Sequence, residues 1–147
     1  MQTFPVTPGD YPALLQVWED AVRATHDFLP EANLQALKPL LLSDYFDAVT
    51  LRCVKDKAGA IVGFVGVAQG NIEMLFVAPE HFGQGLGKTL LTYAREHLAA
   101  STVDVNEQNP KALGFYLCQG FVQTGRSPLD GQGNPFPLIH MTWPEPA

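Results

Sequence analysis

The sequence predicts an α/β fold, in detail an α+β arrangement: a mixed central sheet of about six to seven strands flanked by about four helices. Three observations predict it. Short apolar runs rich in β-formers recur at Val49–Lys55, Ile61–Val67 and Ile72–Val77. Two stretches, Tyr11–Thr25 and Lys88–Ala99, carry apolar residues at the three- and four-residue spacing of amphipathic helices. A glycine-rich run separates the third of those strands from the helix that follows it. The 147 residues are enough for one hydrophobic core and too few for two comfortable ones, so a single domain over residues 1–147 is expected.

Thr3–Val6 reads as a short first strand, and Thr7-Pro8-Gly9-Asp10 as a turn that can open a helix, because proline is tolerated in a first turn. Leu14, Leu15, Val17, Trp18, Ala21 and Val22 give the first helix its apolar stripe. His26-Asp27-Phe28-Leu29-Pro30 breaks it, and a second helix runs from Glu31 to about Leu42. Val49–Lys55 and Ile61–Val67 form a hairpin around the turn Asp56–Gly59, and Ile72–Val77 is a third strand of this group, closed by Pro79. After Gly83–Gly87 a helix spans Lys88 to Ala99. Thr102–Asn106 is a strand. Pro110–Gln119 is a helix with proline at its start and Gly120 just past its end, the asymmetry that capping favours. Phe121–Gly125 and Leu138–Thr142 complete the strands.

Composition narrows the function classes. The formal net charge of −6 argues against nucleic acid as a partner, since such proteins present a basic face. No apolar run reaches the length of a membrane span, and Met1–Asp10 has neither a basic n-region nor an apolar h-region, so a cytoplasmic protein is expected. Cys53 and Cys118 are far apart and outside any CxxC pair, which fits two free thiols. The spacing of His26, His81, His97 and His140 suggests no metal site. No Ser-His-Asp arrangement is legible, and nothing marks Cys118 as an activated nucleophile.

The sharpest local feature is Gly83-Gln84-Gly85-Leu86-Gly87-Lys88-Thr89. Glycine lets a backbone turn tightly and approach a ligand closely. The first N–H groups of a helix lack intrahelical partners and lie at the positive end of its dipole, so such a run suits a pyrophosphate. A plain strand-to-helix turn has the same composition. The run is not GxGxxG, and it falls one residue short of the GxxxxGK[ST] phosphate loop.

Context adds to the loop. Met74-Leu75-Phe76-Val77-Ala78-Pro79 followed by Phe82-Gly83-Gln84-Gly85-Leu86-Gly87 resembles the central motif of GNAT acetyltransferases, an apolar strand, then [Q/R]-x-x-G-x-[G/A], then a helix. Further on, Val103-Asp104-Val105-Asn106, Asn109, Ala112, Tyr116 and Gly120-Phe121 resemble the family's second motif of strand, Asn, helix, Tyr and Gly-Phe. The two motifs in order are more specific than either alone, and the element order fits the GNAT fold along nearly the whole chain. Arg23–Pro30, Asn106–Asn109 and Ser127–Gly133 are similar to a bacterial GNAT subgroup of unassigned substrate. One position departs: Phe82 stands where the family usually has Gln or Arg, which removes any side-chain contact to the cofactor phosphates and leaves the backbone donors intact.

The resemblance implies acetyl-CoA as co-substrate, no metal, and transfer of acetyl to a primary amine of a small molecule or peptide by direct attack in a ternary complex. It implies that Leu75, Phe76 and Val77 pair with the pantetheine arm through backbone groups, in the manner of an added strand, with the Leu75 N–H polarising the thioester carbonyl. It implies that Gly83, Gln84, Gly85, Leu86, Gly87, Lys88 and Thr89 hold the pyrophosphate. It assigns Tyr116 to protonating the leaving thiolate, against the plainer reading of a packed helical tyrosine. Asn109 becomes a ligand of the cofactor arm, although helix N-capping before Pro110 suits it equally. Glu73, two residues before Leu75 and so on the same strand face, is a candidate general base, or simply a solvated strand residue. His26, Phe28 and His140 are candidate acceptor contacts, with structural roles the commoner case for a lone histidine. The family often dimerises, which puts a homodimer among the expected states. The alternative function is a non-catalytic module that binds or senses acyl-CoA; it would keep the loop and strand without needing Tyr116.

Overall fold

In the computed structural model, which describes residues 2–131 and 133–144, the three- and four-residue apolar spacing becomes helix α1 (Tyr11–Thr25), with Leu14, Val17, Trp18, Ala21 and Val22 buried. The hairpin expected around Asp56 forms from strands β2 (Thr50–Lys55) and β3 (Ile61–Ala68). Asp56 shapes its turn by accepting from the Ala58 and Ala60 N–H groups, each at 2.9 Å. With β1 (Thr3–Pro5) and β4 (Asn71–Val77) these strands pair antiparallel in the order β1-β2-β3-β4. This first compact unit comprises Met1–Ala100.

Strand β3 is buried continuously from Val62 to Val67 because helices cover both of its faces. On one face Phe64 joins Leu14, Trp18, Phe46 and Met74 in the main core cluster. Phe46 meets Phe64 edge-on at 5.8 Å between ring centroids, and Tyr11 and Phe76 extend the aromatic row. On the other face helix α3 (Leu86–His97) brings Leu90 against Gly63. A Cβ at Gly63 would lie 3.1 Å from Val54, 3.2 Å from the Phe76 carbonyl and 3.3 Å from Leu90, so the helix approaches this closely only over glycine.

Several boundaries in this unit differ from the sequence-based expectation, among them the end of α3, which stops at His97 and not Ala99. Helix α2 (Glu31–Leu40) does not end in a regular turn at Leu42; it widens into a π turn over Leu41–Tyr45, closed by Phe46 N–H donating to Leu41 C=O at 3.0 Å. The widened turn follows Pro39, which has no N–H to give the preceding turn. Helix α3 begins at Leu86, not Lys88, because the left-handed Gly85 is its N-cap and the buried Leu86 anchors the first turn. Helices α1 and α2 are tied by exposed ion pairs: Arg23 bridges Glu19 and Glu31, and Lys38 reaches Glu19 at 2.6 Å.

The second compact unit, Ser101–Ala147, contains β5 (Thr102–Asn106), helix α4 (Pro110–Gln119), β6 (Val122–Ser127) and β7 (Leu138–Thr142). Its strands order β5-β7-β6, with β7 antiparallel to both neighbours. Val103, Val105, Ile139 and Met141 are buried, and Tyr116, Phe121 and Trp143 stack edge-to-face in a row. Phe121 is not the first residue of a strand as expected. Its N–H donates to Tyr116 C=O at 3.0 Å, so it closes the end of α4 and the strand starts at Val122. Among the described residues the seven strands and four α-helices follow the predicted order, both cysteines are free, and no helix is long and apolar enough to cross a membrane.

Phe64→Ala should cost about 3–5 kcal/mol of unfolding free energy, the usual range for emptying a fully buried phenylalanine site. Urea unfolding followed by circular dichroism checks this; a loss under about 1 kcal/mol would mean that α1 and β3 do not share one packed core.

Candidate active site

The glycine run of the first unit turns the chain through two left-handed residues, Gly83 at φ 78° and Gly85 at φ 80°. A Cβ at either position would meet nothing within 4 Å, so glycine is required there by backbone conformation and not by crowding. The first bond of α3 runs from Thr89 N–H to Gly85 C=O at 3.0 Å, and the Thr89 hydroxyl donates to the same carbonyl. The amides of Leu86, Gly87 and Lys88 therefore precede any intrahelical acceptor and lie at the positive end of the helix. Gln84 meets the His81 ring at 3.1 Å, and Phe82 is one of the larger exposed apolar side chains. The three free amides lie beside the Lys88 cation, a donor set that fits a polyanionic pyrophosphate.

Leu75, Phe76 and Val77 pair with Val65, Phe64 and Gly63 of β3. Just before them the register shifts: Met74 pairs with Gly66 and Ile72 with Val67, so Glu73 has no partner on β3. Glu73 is the extra residue of a bulge and is exposed. It lies between the buried Ile72 and Met74, with Leu75 half-buried, so burial alternates along these residues.

At the end of α1 the Thr25 hydroxyl donates its one proton to Ala21 C=O at 2.8 Å. Its second contact, 2.8 Å to His26 Nδ1, must then be an imidazole N–H donating to Thr25 Oγ1. That fixes the tautomer and leaves Nε2 as an acceptor. Burial lowers the His26 pKa, with the Asp27 charge working weakly against it, which favours the neutral ring. Phe28 packs on the ring at 5.2 Å between centroids.

In the second unit Asn109 is the N-cap of α4. Its Oδ1 accepts from Ala112 N–H at 3.2 Å, which confirms the capping role and leaves Nδ2 as the donor for any ligand. Tyr116 lies seven residues on, two turns along the same helix face, and is buried beside Phe115 and Phe121. Burial pushes its phenol well above the ordinary tyrosine pKa, so the hydroxyl keeps its proton at neutral pH and can act as a donor.

No Ser-His-Asp arrangement is legible in the sequence, and here the structure corrects that reading. Across β5, β7 and β6, Asp104 Oδ1 lies 2.5 Å from His140 Nδ1, and His140 Nε2 lies 2.6 Å from Ser127 Oγ. Asp104 and His140 face each other in the ladder, and Ser127 sits two residues diagonally from His140's partner Gly125. Nothing in the linear chain joins positions 104, 127 and 140; the strand register does. The exposed Arg126–Glu107 ion pair closes at the same edge, holding the Glu107 carboxyl below its usual range. Asp130, in the loop between β6 and β7, accepts from Asn134 N–H at 2.9 Å as an ordinary turn aspartate; Gln132, in the subgroup-like stretch Ser127–Gly133, lies outside the described residues. Among the described residues no three His, Cys, Asp or Glu side chains gather as metal ligands.

The family profile described as "Acetyltransferase (GNAT) domain" matches residues 24–143. The chain is 38% identical over 131 residues to the peptidyl-lysine N-acetyltransferase YjaB of Salmonella typhimurium, spanning 89% of this chain and 90% of that protein. It is 35% identical over 130 residues to the YjaB of Escherichia coli, spanning 88% of each. The solution structure of apo-form YjaB from Escherichia coli superposes with a TM-score of 0.85 at 31% identity, covering 97% of this chain and 96% of that one. A PaiA N-acetyltransferase from Thermoplasma acidophilum, solved in complex with coenzyme A, has the same fold, with a TM-score of 0.73 at 16% identity over 97% of this chain and 98% of that one.

Asn109→Ala should destabilise the second unit by about 0.5–2 kcal/mol through loss of the cap, whereas Asn109→Asp should hold it within a few tenths. Thermal unfolding of the two variants checks this, and equal losses would remove the cap as the reason for asparagine here.

Proposed function

Since this chain belongs to the GNAT acetyltransferase family and moves an acetyl group from acetyl-CoA to an amine, we propose that its acceptor is the ε-amino group of a lysine in a peptide or protein, acetylated by direct attack in a ternary complex. The acceptor class is supported by the two YjaB relatives, both peptidyl-lysine N-acetyltransferases, whose similarity runs along nearly nine-tenths of the chain. Direct attack is favoured because the buried Cys53 is no activated nucleophile, burial raising its thiol pKa, and nothing in the sequence marks the exposed Cys118 as one. The family profile runs through both compact units, which supports one acetyltransferase domain over the whole chain. We assign it to the cytoplasm.

The observation that carries the cofactor side of this reading is the set of amides at Leu86, Gly87 and Lys88, ahead of the first bond of α3. Acetyl-CoA supplies the activated acyl group when bound. In this reading the Gly83–Thr89 backbone holds the pyrophosphate, with Gln84 and Lys88 at its margin. Backbone groups of Leu75, Phe76 and Val77 hold the arm, and Asn109 Nδ2 is a further donor to it. Phe82 contributes no side-chain donor, and none is needed where backbone amides do the binding. The neutral phenol of Tyr116 donates a proton to the leaving sulfur. A lysine ammonium titrates near 10.4 in water, so a group on the protein must take its proton before attack. Glu73 remains a candidate for that step, and His26 and Phe28 are candidates for lining the acceptor.

Calorimetric titration should give micromolar affinity for acetyl-CoA and none for ATP or NAD; absence of acetyl-CoA binding by folded protein would reduce the family likeness to one of fold. Gly85→Val, which forces a branched residue into φ 80°, should weaken that affinity at least tenfold while the second unit's unfolding is unchanged. Tyr116→Phe should lower turnover on a lysine peptide by about 10²–10⁴-fold and leave acetyl-CoA affinity within twofold. Equal losses of rate and affinity would remove the acid role.

A further inference from the structure

We propose that Asp104, His140 and Ser127 form a proton relay that takes the proton from the acceptor ammonium, with His140 as the base, Ser127 as the contact to the amine and Asp104 as a positioning residue. The inference rests on the lysine-acetylating reading above.

The geometry is of two bonds in series. A carboxylate can only accept, so the 2.5 Å contact to Asp104 Oδ1 fixes the proton of a neutral imidazole on Nδ1. Nε2 then carries the lone pair, and the 2.6 Å contact is the Ser127 hydroxyl donating to it. With its hydrogen aimed at Nε2, the Ser127 oxygen presents its lone pairs outward, and an ammonium can donate to them. Proton transfer then balances in one sweep: the ammonium gives a proton to Ser127 Oγ, the Ser127 proton passes to Nε2, and a neutral amine and an imidazolium result. The Asp104 carboxylate is in place to stabilise that imidazolium. The amine attacks the thioester carbon and the carbon–sulfur bond breaks; the second proton, shed by the new amide nitrogen, balances the one delivered to the departing sulfur, and the imidazolium later releases its proton to water.

Four features favour this role over a passive surface bond. The group lies on the strand face opposite the one where Val103, Val105, Ile139 and Met141 are buried, so it is open to an incoming side chain. His140 and Asp104 are the ionisable side chains of β5, β6 and β7 on that face; Arg126 alternates away from Ser127, pairs in register with the buried Ile139, and is occupied by Glu107. Every member is only partly exposed or exposed, with His140 at 34% and Asp104 at 42% of their side-chain surface, and an ion pair so placed adds little to stability. Gly125, directly opposite His140, leaves the imidazole room: a Cβ there would reach ordinary contact at 3.5 Å.

The test is the pH dependence of kcat/KM for a lysine-containing peptide in wild type, His140→Gln, Asp104→Asn and Ser127→Ala, each first checked for native thermal unfolding and acetyl-CoA affinity. At neutral pH His140→Gln should lose about 10²-fold or more. The deficit should shrink steadily as pH rises towards the amine's own pKa, because less of the substrate then needs a base. Asp104→Asn should lose less and should move the imidazole ring proton from Nδ1 to Nε2 in the nitrogen NMR spectrum. Parallel profiles for His140→Gln and wild type, or a deficit that stays constant with pH, overturn the relay while wild-type activity leaves the lysine reading standing. Wild type that binds acetyl-CoA yet acetylates no lysine peptide overturns both. If His140→Gln does not fold, Asp104→Asn and Ser127→Ala decide the matter by the same pH criterion.

Discussion

The first unit depends on strand β3 being covered on both faces at once. Six successive residues of it, Val62–Val67, are buried, and that demands two helices at close range. The α1 side is filled by large side chains, Phe64 against Phe46 and Met74. The α3 side is set by an absence, since Gly63 lets Leu90 sit where a Cβ would crowd Val54, Leu90 and a backbone carbonyl. Once α3 is held there, its first turn has one place to start. The left-handed Gly85 and the buried Leu86 put the uncommitted amides of α3 directly after β4. The proposed anion site is therefore a by-product of core packing: the residues that bury β3 also aim the helix dipole.

This arrangement explains why the departure at Phe82 is tolerable. A pyrophosphate held by main-chain amides draws on the helix geometry, which tertiary packing fixes, and not on one side chain. The division extends to the second unit. Asn109 spends its oxygen on the cap of α4 and keeps an amide donor. Tyr116, buried two turns later, gains a higher pKa from the same burial that packs it against Phe121. In both units a stabilising role and the proposed chemical one fall on the same residues.

Much of this was legible in the chain. Apolar periodicity located all four helices and every strand to within a few residues, because each segment buries one stripe or one face and punctuates itself with Gly, Pro or Asp. The glycine run and Asn109 were legible because capping and left-handed turns are local requirements that local residues answer. What was not legible depends on register. The bulge at Glu73 is one such feature, since no neighbouring residue announces it. The π turn over Leu41–Tyr45 follows Pro39, a residue whose effect on the next turn apolar spacing does not reveal. Asp104, Ser127 and His140 lie 13 and 36 residues apart in sequence, and only the pairing of three strands brings their side chains within bonding distance.

The two histidines singled out from sequence show how much a single hydrogen bond decides. His26 gives its Nδ1 proton to a hydroxyl that is already spent on Ala21, and partial burial disfavours its charged form. It has a lone pair at Nε2 but no nearby anion to stabilise an added proton beyond the weak pull of Asp27. His140 also gives up its Nδ1 proton, but to a carboxylate, and its Nε2 is already engaged by a hydroxyl. The same ring is thus a neutral contact in one setting and, in the other, a link between a carboxylate and a hydroxyl. The difference lies in what accepts at Nδ1, a property of the partner strand and not of the histidine itself.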